Sequence, residues 1–264
     1  MVPKMSKATS FVKGSVMSTS KRLKALVTGA AREGSIGQAF VARLEADGME
    51  VVTLDREPGC TYQADISRDE LPDLSDIDVY VANAGLTTMF GAAHSMSLEK
   101  WQKDLDVNLT GTFRVLQACL PGMRERRFGR IVVISSTAGT QGMPAQISYS
   151  TTKAGLLGLV KTAAAENVSL GITANAVLPG MTASSGILSM PQDIQDAWLA
   201  TMPNGFVAPA EIADAVAFFA SPTAKSVTGQ ALTVDGGDGL NTRSVTSSVT
   251  RAVPVSPSTS GPGR

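Results

Sequence analysis

Leu23-Lys24-Ala25-Leu26-Val27-Thr28-Gly29-Ala30-Ala31-Arg32-Glu33-Gly34-Ser35-Ile36-Gly37 is the stretch whose reading decides the fold. Leu23 to Thr28 is a short apolar run that reads as a strand. Ile36 to Asp47 has helical spacing, with Ile36, Phe40, Val41 and Leu44 on one face, and Gly48 is a plausible C-cap. Between them lies a loop with glycines at 29, 34 and 37. Glycine lets a backbone turn sharply and approach a ligand closely. The N-terminus of the following helix offers free N–H groups and a positive dipole end to an anion. Strand, glycine loop and helix in that order form a diphosphate cradle, with Gly29, Ser35, Ile36 and Gly37 as its anchors. The blander alternative is an ordinary strand–helix turn.

Outward from this unit the pattern alternates. Strands read at Glu50 to Leu54, Val79 to Ala82, Arg130 to Ser135, Thr173 to Val177 and Ala231 to Asp235. Helices read at Leu98 to Met123, Tyr149 to Ser169 and Ala210 to Ala220. Continuous apolar strands alternating with helices imply an α/β chain with a parallel sheet covered on both faces. The expectation is one doubly wound domain of the Rossmann type, with about seven strands, over residues 21–240. Residues 1–20 carry Lys4, Lys7 and Lys13 among Ser and Thr and read as a disordered extension. Residues 241–264, rich in Ser, Thr, Val, Pro and Gly, read as a flexible tail.

Bulk composition excludes several function classes. Lys plus Arg is 23 and Asp plus Glu is 23, so the chain has no electrostatic footprint for nucleic acid or an anionic membrane. No apolar run approaches the ~18 residues of a spanning helix. Cys60 and Cys119 lie far apart, which fits a reducing cytoplasm. No cluster of carboxylates and histidines suggests a metal ion, and His94 stands alone in a loop.

The second strand runs into Asp55. A carboxylate there accepts hydrogen bonds from an adenosine ribose and repels a 2′-phosphate, favouring NAD over NADP. Arg32 and Arg56 are close enough in sequence to act in the opposite sense, which keeps NADP open. Tyr149 and Lys153 stand four apart on a helix and share one face. A free tyrosine has a pKa of about 10, and a neighbouring ammonium pulls it down toward useful acid–base chemistry. Ser136 ends the Arg130 strand at the carboxyl edge, where open α/β sheets bind ligands, thirteen residues before Tyr149. Its hydroxyl there stabilises charge on a substrate oxygen, or else caps a turn.

Thr28-Gly29…Gly37, Val81-Ala82-Asn83-Ala84-Gly85, Asn108, Ser136, Tyr149-x-x-x-Lys153, Pro179-Gly180 and Asp235-Gly236-Gly237 together resemble the motif series of the short-chain dehydrogenase/reductase family, over about Lys21 to Leu240. The resemblance implies an NAD(P)-dependent oxidoreductase interconverting a secondary alcohol and a ketone. Tyr149 would be the general acid/base. Lys153 would lower its pKa and hold the nicotinamide ribose. Ser136 would polarise the carbonyl, and Asn108 would kink its helix and anchor a relay water. Asp65, followed by Ile66, would meet the adenine. Asn83, Ala84 and Gly85 would line the adenosine side, and the loop after Pro179-Gly180 would cover the nicotinamide. Thr182 and Ser184 are both candidates for the carboxamide contact. A homotetramer through the Asn108 and Tyr149 helices is implied as well.

The glycine loop is one residue longer than the common family form and resembles the enoyl-reductase branch, whereas the Tyr–Lys spacing of four resembles the carbonyl/alcohol branch. Met181 to Gly205 reads as an apolar lid, with Met89, Phe90, Met143 and Ile147 completing the pocket wall. The lid length resembles that of 3-oxoacyl-carrier-protein reductases. Arg130 stands for part of their basic docking patch, with Leu170 where a second Arg often lies. The alternatives are a 3-oxoacyl thioester reductase, an enoyl reductase and a non-catalytic nucleotide-binding sensor.

Overall fold

A computed structural model describes residues 22–87, 89–202 and 204–240. The expectations for residues 1–20 and 241–264 lie outside that range. Seven parallel strands form one sheet in the order β3-β2-β1-β4-β5-β6-β7. They are β1 (Lys24–Thr28), β2 (Glu50–Asp55), β3 (Tyr62–Gln63), β4 (Val79–Ala82), β5 (Gly129–Ile134), β6 (Ile172–Pro179) and β7 (Ala231–Val234). The expected doubly wound sheet is present, and six of its strands stand where apolar runs predict them, within two residues at either end. The seventh, β3, is two residues long and pairs with Leu54 and Asp55.

Alternation along the strands builds two cores, because successive side chains point to opposite faces. On one face Leu26, Leu54, Tyr80, Ile131 and Val133 pack against Val115, Cys119, Met123, Leu156 and Val160. Those partners come from α3 (Thr112–Arg126) and α5 (Ile147–Asn167). On the other face Ala25, Val27, Val79, Val81 and Val132 pack against Phe40, Leu44, Ile212, Val216 and Phe219, from α1 (Ile36–Ala46) and α8 (Pro209–Ala220). Both faces of each central strand are buried, which is why these strands read as continuous apolar runs.

The long helix expected from Leu98 to Met123 is three pieces. It comprises α2 (Leu98–Asp104), a π-helical stretch at Leu105–Gly111 and then α3, which extends to Arg126. Three short helices also lie between β5 and β7: α4 (Ala138–Gln141), α6 (Ser185–Leu188) and α7 (Gln192–Leu199), the last two preceding α8. The order reverses between β1 and β4, which are neighbours although β2 and β3 intervene in sequence. Loops leaving the carboxyl ends of these two strands therefore diverge and open a crevice.

Candidate active site

At the crevice, β1 and β4 are tied by side chains. Thr28 Oγ1 accepts hydrogen bonds from the backbone N–H groups of Asn83 and Ala84, each at 3.1 Å. Asn83 Nδ2 donates to the carbonyls of Thr28 and Gly29 at 2.9 Å. Gly29 has φ +75°, and a Cβ there would lie 2.7 Å from Ala84 Cα. At Gly37 a Cβ would lie 2.4 Å from the Gly29 carbonyl oxygen. Any side chain at either position would fill the loop's concavity. Ser35 caps α1, its Oγ accepting from Gln38 N at 3.3 Å. Its oxygen thus serves the helix, and its hydroxyl hydrogen is left to face an anion. Ile36 and Gly37 open α1 with N–H groups that lack intrahelical partners. This cradle fits a dinucleotide diphosphate.

Asp55 stands at the end of β2, half-buried. Its Oδ2 accepts from Ala31 N at 3.1 Å and its Oδ1 from Glu57 N. The carboxylate therefore braces the glycine loop while retaining lone pairs for a ribose. Arg56 pairs with Glu57 at 3.1 Å, and Arg32 is exposed on the loop. An open cleft next to this edge is lined by Arg56, Asp65, Arg68, Lys103 and Asp106. Partial burial raises the pKa of the Asp65 carboxyl, but hydrogen bonds from Ser67 and the Arg68 charge outweigh it and leave the group lowered. Ile66 is buried against Gly111.

Tyr149 and Lys153 lie on the first turns of α5, as their spacing predicts. Tyr149 is half-buried, with the Ser136 side chain on the side of its hydroxyl. Ser136 Oγ also accepts from Ala138 N at 3.1 Å. Of the two roles weighed for this serine, the turn cap is the one this bond makes. Lys153 is buried, and its Nζ donates to Ile134 O at 2.8 Å. The neighbouring Ser135, missed by the sequence reading, donates from Oγ to the Lys153 carbonyl at 2.8 Å. Gly139 is a second omission: a Cβ there would lie 2.8 Å from the Lys153 carbonyl carbon. No periodic pattern marks either residue.

Burial dominates the electrostatics of the pair. Burial pushes the Tyr149 hydroxyl above its ordinary value, more than the Ser136 hydrogen bond draws it down, and Asp104 adds to the rise. Burial pushes the Lys153 ammonium down to about 8, against an upward pull from Asp104. Lys153 sits 5.5 Å from the Tyr149 ring centre with its hydrogen bond spent on Ile134. In this arrangement burial opposes the phenolate.

Asn108 is buried within the π-helical stretch. Its Oδ1 accepts from Leu86 N at 2.6 Å, and its Nδ2 donates to Leu86 O at 3.1 Å. Gly85 comes up against this amide, and a Cβ would lie 3.1 Å from Asn108 Oδ1. Pro179 ends β6, and Gly180 packs on Asp235, which itself holds Gly237 N and Gly239 N. Thr182 is buried and donates to Gly180 O at 3.0 Å. Ser184 is half-buried with no side-chain cap bond at the start of α6. Of the two carboxamide candidates, Ser184 has the free hydroxyl. One further contact ties the lid to the glycine loop: Ser185 N donates to Gly34 O at 3.1 Å.

Phe90, Met143 and Ile147 are exposed, in segments joined by Gly91 N donating to Ala145 O at 2.9 Å. Leu188, Ile194 and Leu199 of the lid are exposed too. Arg130 does not fit a docking patch: it is buried, with its guanidinium on backbone carbonyls. Among the described residues no group of His, Cys, Asp and Glu is arranged to hold a metal, and no helix is long and apolar enough to cross a membrane.

Residues 64–238 match a family model described as enoyl-(acyl carrier protein) reductase. An acetoacetyl-CoA reductase of Rhizobium meliloti is 37% identical over 239 residues, covering 81% of this chain and 97% of the relative. A 3-oxoacyl-[acyl-carrier-protein] reductase FabG of Vibrio cholerae is 36% identical over 236 residues, covering 81% and 96%. The crystal structure of an oxidoreductase of the short-chain dehydrogenase/reductase family from Burkholderia thailandensis superposes with a TM-score of 0.75 at 32% identity, covering 84% of this chain and 94% of that one.

Proposed function

We propose that this chain, which belongs to the short-chain dehydrogenase/reductase family of oxidoreductases, reduces a 3-oxoacyl thioester to the 3-hydroxyacyl thioester, with Tyr149 as the proton donor. One arrangement carries the chemistry. The half-buried Tyr149 ring lies 5.5 Å from Lys153 Nζ, which is anchored on Ile134 O at the carboxyl edge of β5, with Ser136 two residues further along. Ser136 donates a hydrogen bond to the substrate carbonyl oxygen and so stabilises the charge that develops there. Tyr149 then gives its proton to that oxygen. A nicotinamide dinucleotide held in this crevice would supply the hydride. Lys153 would hold its nicotinamide ribose, Gly29, Ser35, Ile36 and Gly37 its diphosphate, and Asp65 and Ile66 its adenine, with Asn83, Ala84 and Gly85 lining the adenosine side. Pro179, Gly180 and Ser184 would cover the nicotinamide, with Thr182 behind them. Asn108, satisfied by Leu86, fixes the wall beside Lys153.

The exposed apolar groups at Phe90, Met143, Ile147 and the lid favour an acyl chain over a polyol. The four-residue Tyr–Lys spacing and the Ser136 contact favour a carbonyl over a C=C bond. Asp55 favours NADH over NADPH, since its carboxylate repels a 2′-phosphate and the nearby Arg56 is already paired with Glu57. Loss of nicotinamide absorbance with acetoacetyl-CoA, compared between NADH and NADPH, tests the reading. Turnover faster with NADH is expected. No turnover with either nucleotide overturns it; reduction of crotonyl-CoA alone installs the enoyl reading, and nucleotide binding without any turnover installs the sensor reading.

We read the assembly as a homotetramer in the cytoplasm. Ala154, Gly155 and Gly158 leave a small-residue face of α5 exposed, and Phe113 is exposed on α3. Burying such faces against a second copy is favourable. Light scattering that returns a monomer refutes this. The two cysteines are both free, as a reducing compartment requires, and fractionation of the producing cell checks the location.

A further inference from the structure

Asp104 ends α2 and is fully buried. Its Oδ2 accepts a hydrogen bond from Ser148 Oγ at 2.5 Å, while its Oδ1 has no partner. Ser148 is fully buried as well and immediately precedes Tyr149. Four residues later on each helix, Asn108 and Thr152 repeat the contact, Nδ2 to Oγ1 at 3.4 Å. Two polar rungs thus join this helix to α5. The second rung is neutral, and Leu86 satisfies its amide further. The first rung carries a carboxylate.

That choice of residue needs a reason. An amide or hydroxyl would bridge to Ser148 equally well, without the cost of desolvating a charge. The 2.5 Å separation is the length of a charge-assisted O–H···O⁻ bond. A buried carboxylate with a free oxygen persists where an opposite charge compensates it. Six other charged or titratable groups come from its own helix, the π-helical stretch and the first two turns of α5. Glu99, Lys100 and Lys103 on α2 are exposed, and Asp106 in the π-helical stretch lines the adenosine cleft. Tyr149 and Lys153 come from α5. Of these, Lys153 is the buried cation.

We propose that Asp104 is a positioning residue for the Tyr149–Lys153 pair: its buried carboxylate fixes the first turn of α5 through Ser148 and is the buried counter-charge to the Lys153 ammonium. The proposal rests on the assignment of Tyr149 and Lys153 to the chemistry. Lys153 and Asp104 act on each other through space, the one drawn up and the other drawn down, while burial opposes both.

The test measures Lys153 directly in the protein without nucleotide. Lysine labelled at Cε is titrated by carbon NMR, the Lys153 signal being identified by its loss in Lys153→Met. The wild-type midpoint is expected near 8. In Asp104→Asn it moves toward acid by about half a pH unit or more. The alkaline limb of kcat/KM for acetoacetyl-CoA reduction moves with it. A purely structural role would lower the thermal midpoint and kcat and leave both titrations in place. Ser148→Ala removes the carboxylate's one hydrogen bond and shifts the midpoint the same way by less, and it decides the matter should Asp104→Asn fail to fold. Midpoint and limb coincident with wild type in the folded variant overturn the proposal. A wild type inactive on every ketone and thioester overturns the catalytic reading instead, and the NMR titration still decides Asp104.

Discussion

Strand β5 has a buried cation at each end, and the two are treated in opposite ways. Arg130, at the amino end, donates to the carbonyls of Gly129, Gly171, Ser221 and Pro222 and stacks 4.5 Å above the Phe128 ring. Burial draws its pKa down, yet a guanidinium stays charged, and its donors are spent on backbone. Lys153, at the carboxyl end, makes one hydrogen bond, to Ile134 O, and burial brings it to about 8. A buried charge with four hydrogen bonds to backbone carbonyls ties loops together. One left with spare donors beside a phenol is available for proton chemistry.

Four measurements break or sharpen that contrast. The largest effect is expected at Tyr149→Phe, which keeps the ring and removes the proton. Its kcat should fall roughly a thousandfold with nucleotide binding intact, and retained turnover would remove Tyr149 from the chemistry. Next come the two cations side by side. Lys153→Met should lower kcat about a hundredfold in a folded protein. Arg130→Met should cost about 3 kcal/mol of stability by orphaning buried carbonyls, with activity per folded molecule preserved. Denaturant unfolding and steady-state kinetics on both variants decide it; exchanged outcomes would erase the distinction.

The pH profile is third. Lys153 is charged below about 8 and neutral above it. Reduction should therefore hold level at neutral pH and fall about tenfold per unit on the alkaline side. A flat profile through pH 9.5, roughly 1.5 units above that midpoint, contradicts a role for its charge. The smallest effect is at Asp55→Ala, far from β5. It should narrow the NADH-over-NADPH ratio by about tenfold, the worth of one charged hydrogen bond. An unchanged ratio moves nucleotide choice to Arg32 and Arg56.

Central strands were legible because burial on both faces makes them apolar throughout, as in Ile131 to Ile134. Strand β3 was not, since Tyr62 and Gln63 are extended by their partners Leu54 and Asp55 and carry no pattern of their own. The π-helical stretch was also hidden: Trp101, Leu105 and Leu109 keep helical steps through it. Tyr149, Lys153 and Ser136 stood out through spacing and position. Asp104 did not, because an acid among Glu99, Lys100, Lys103 and Asp106 reads as one more member of a solvated face. Arg130 misled in the other direction, a charge that looks available in sequence and is enclosed in the fold.

Gly139 has a bearing on how relatives of this chain are interpreted. A methyl group there would sit 2.8 Å from the Lys153 carbonyl carbon and 2.9 Å from Ala154 N, so α5 would have to retreat from α4. A gene could then retain Ser, Tyr and Lys at the diagnostic spacings and still encode an inert protein. Screening genomes for this chemistry by its polar signature alone will count such silent copies as enzymes, and the residue that exposes them has no side chain at all.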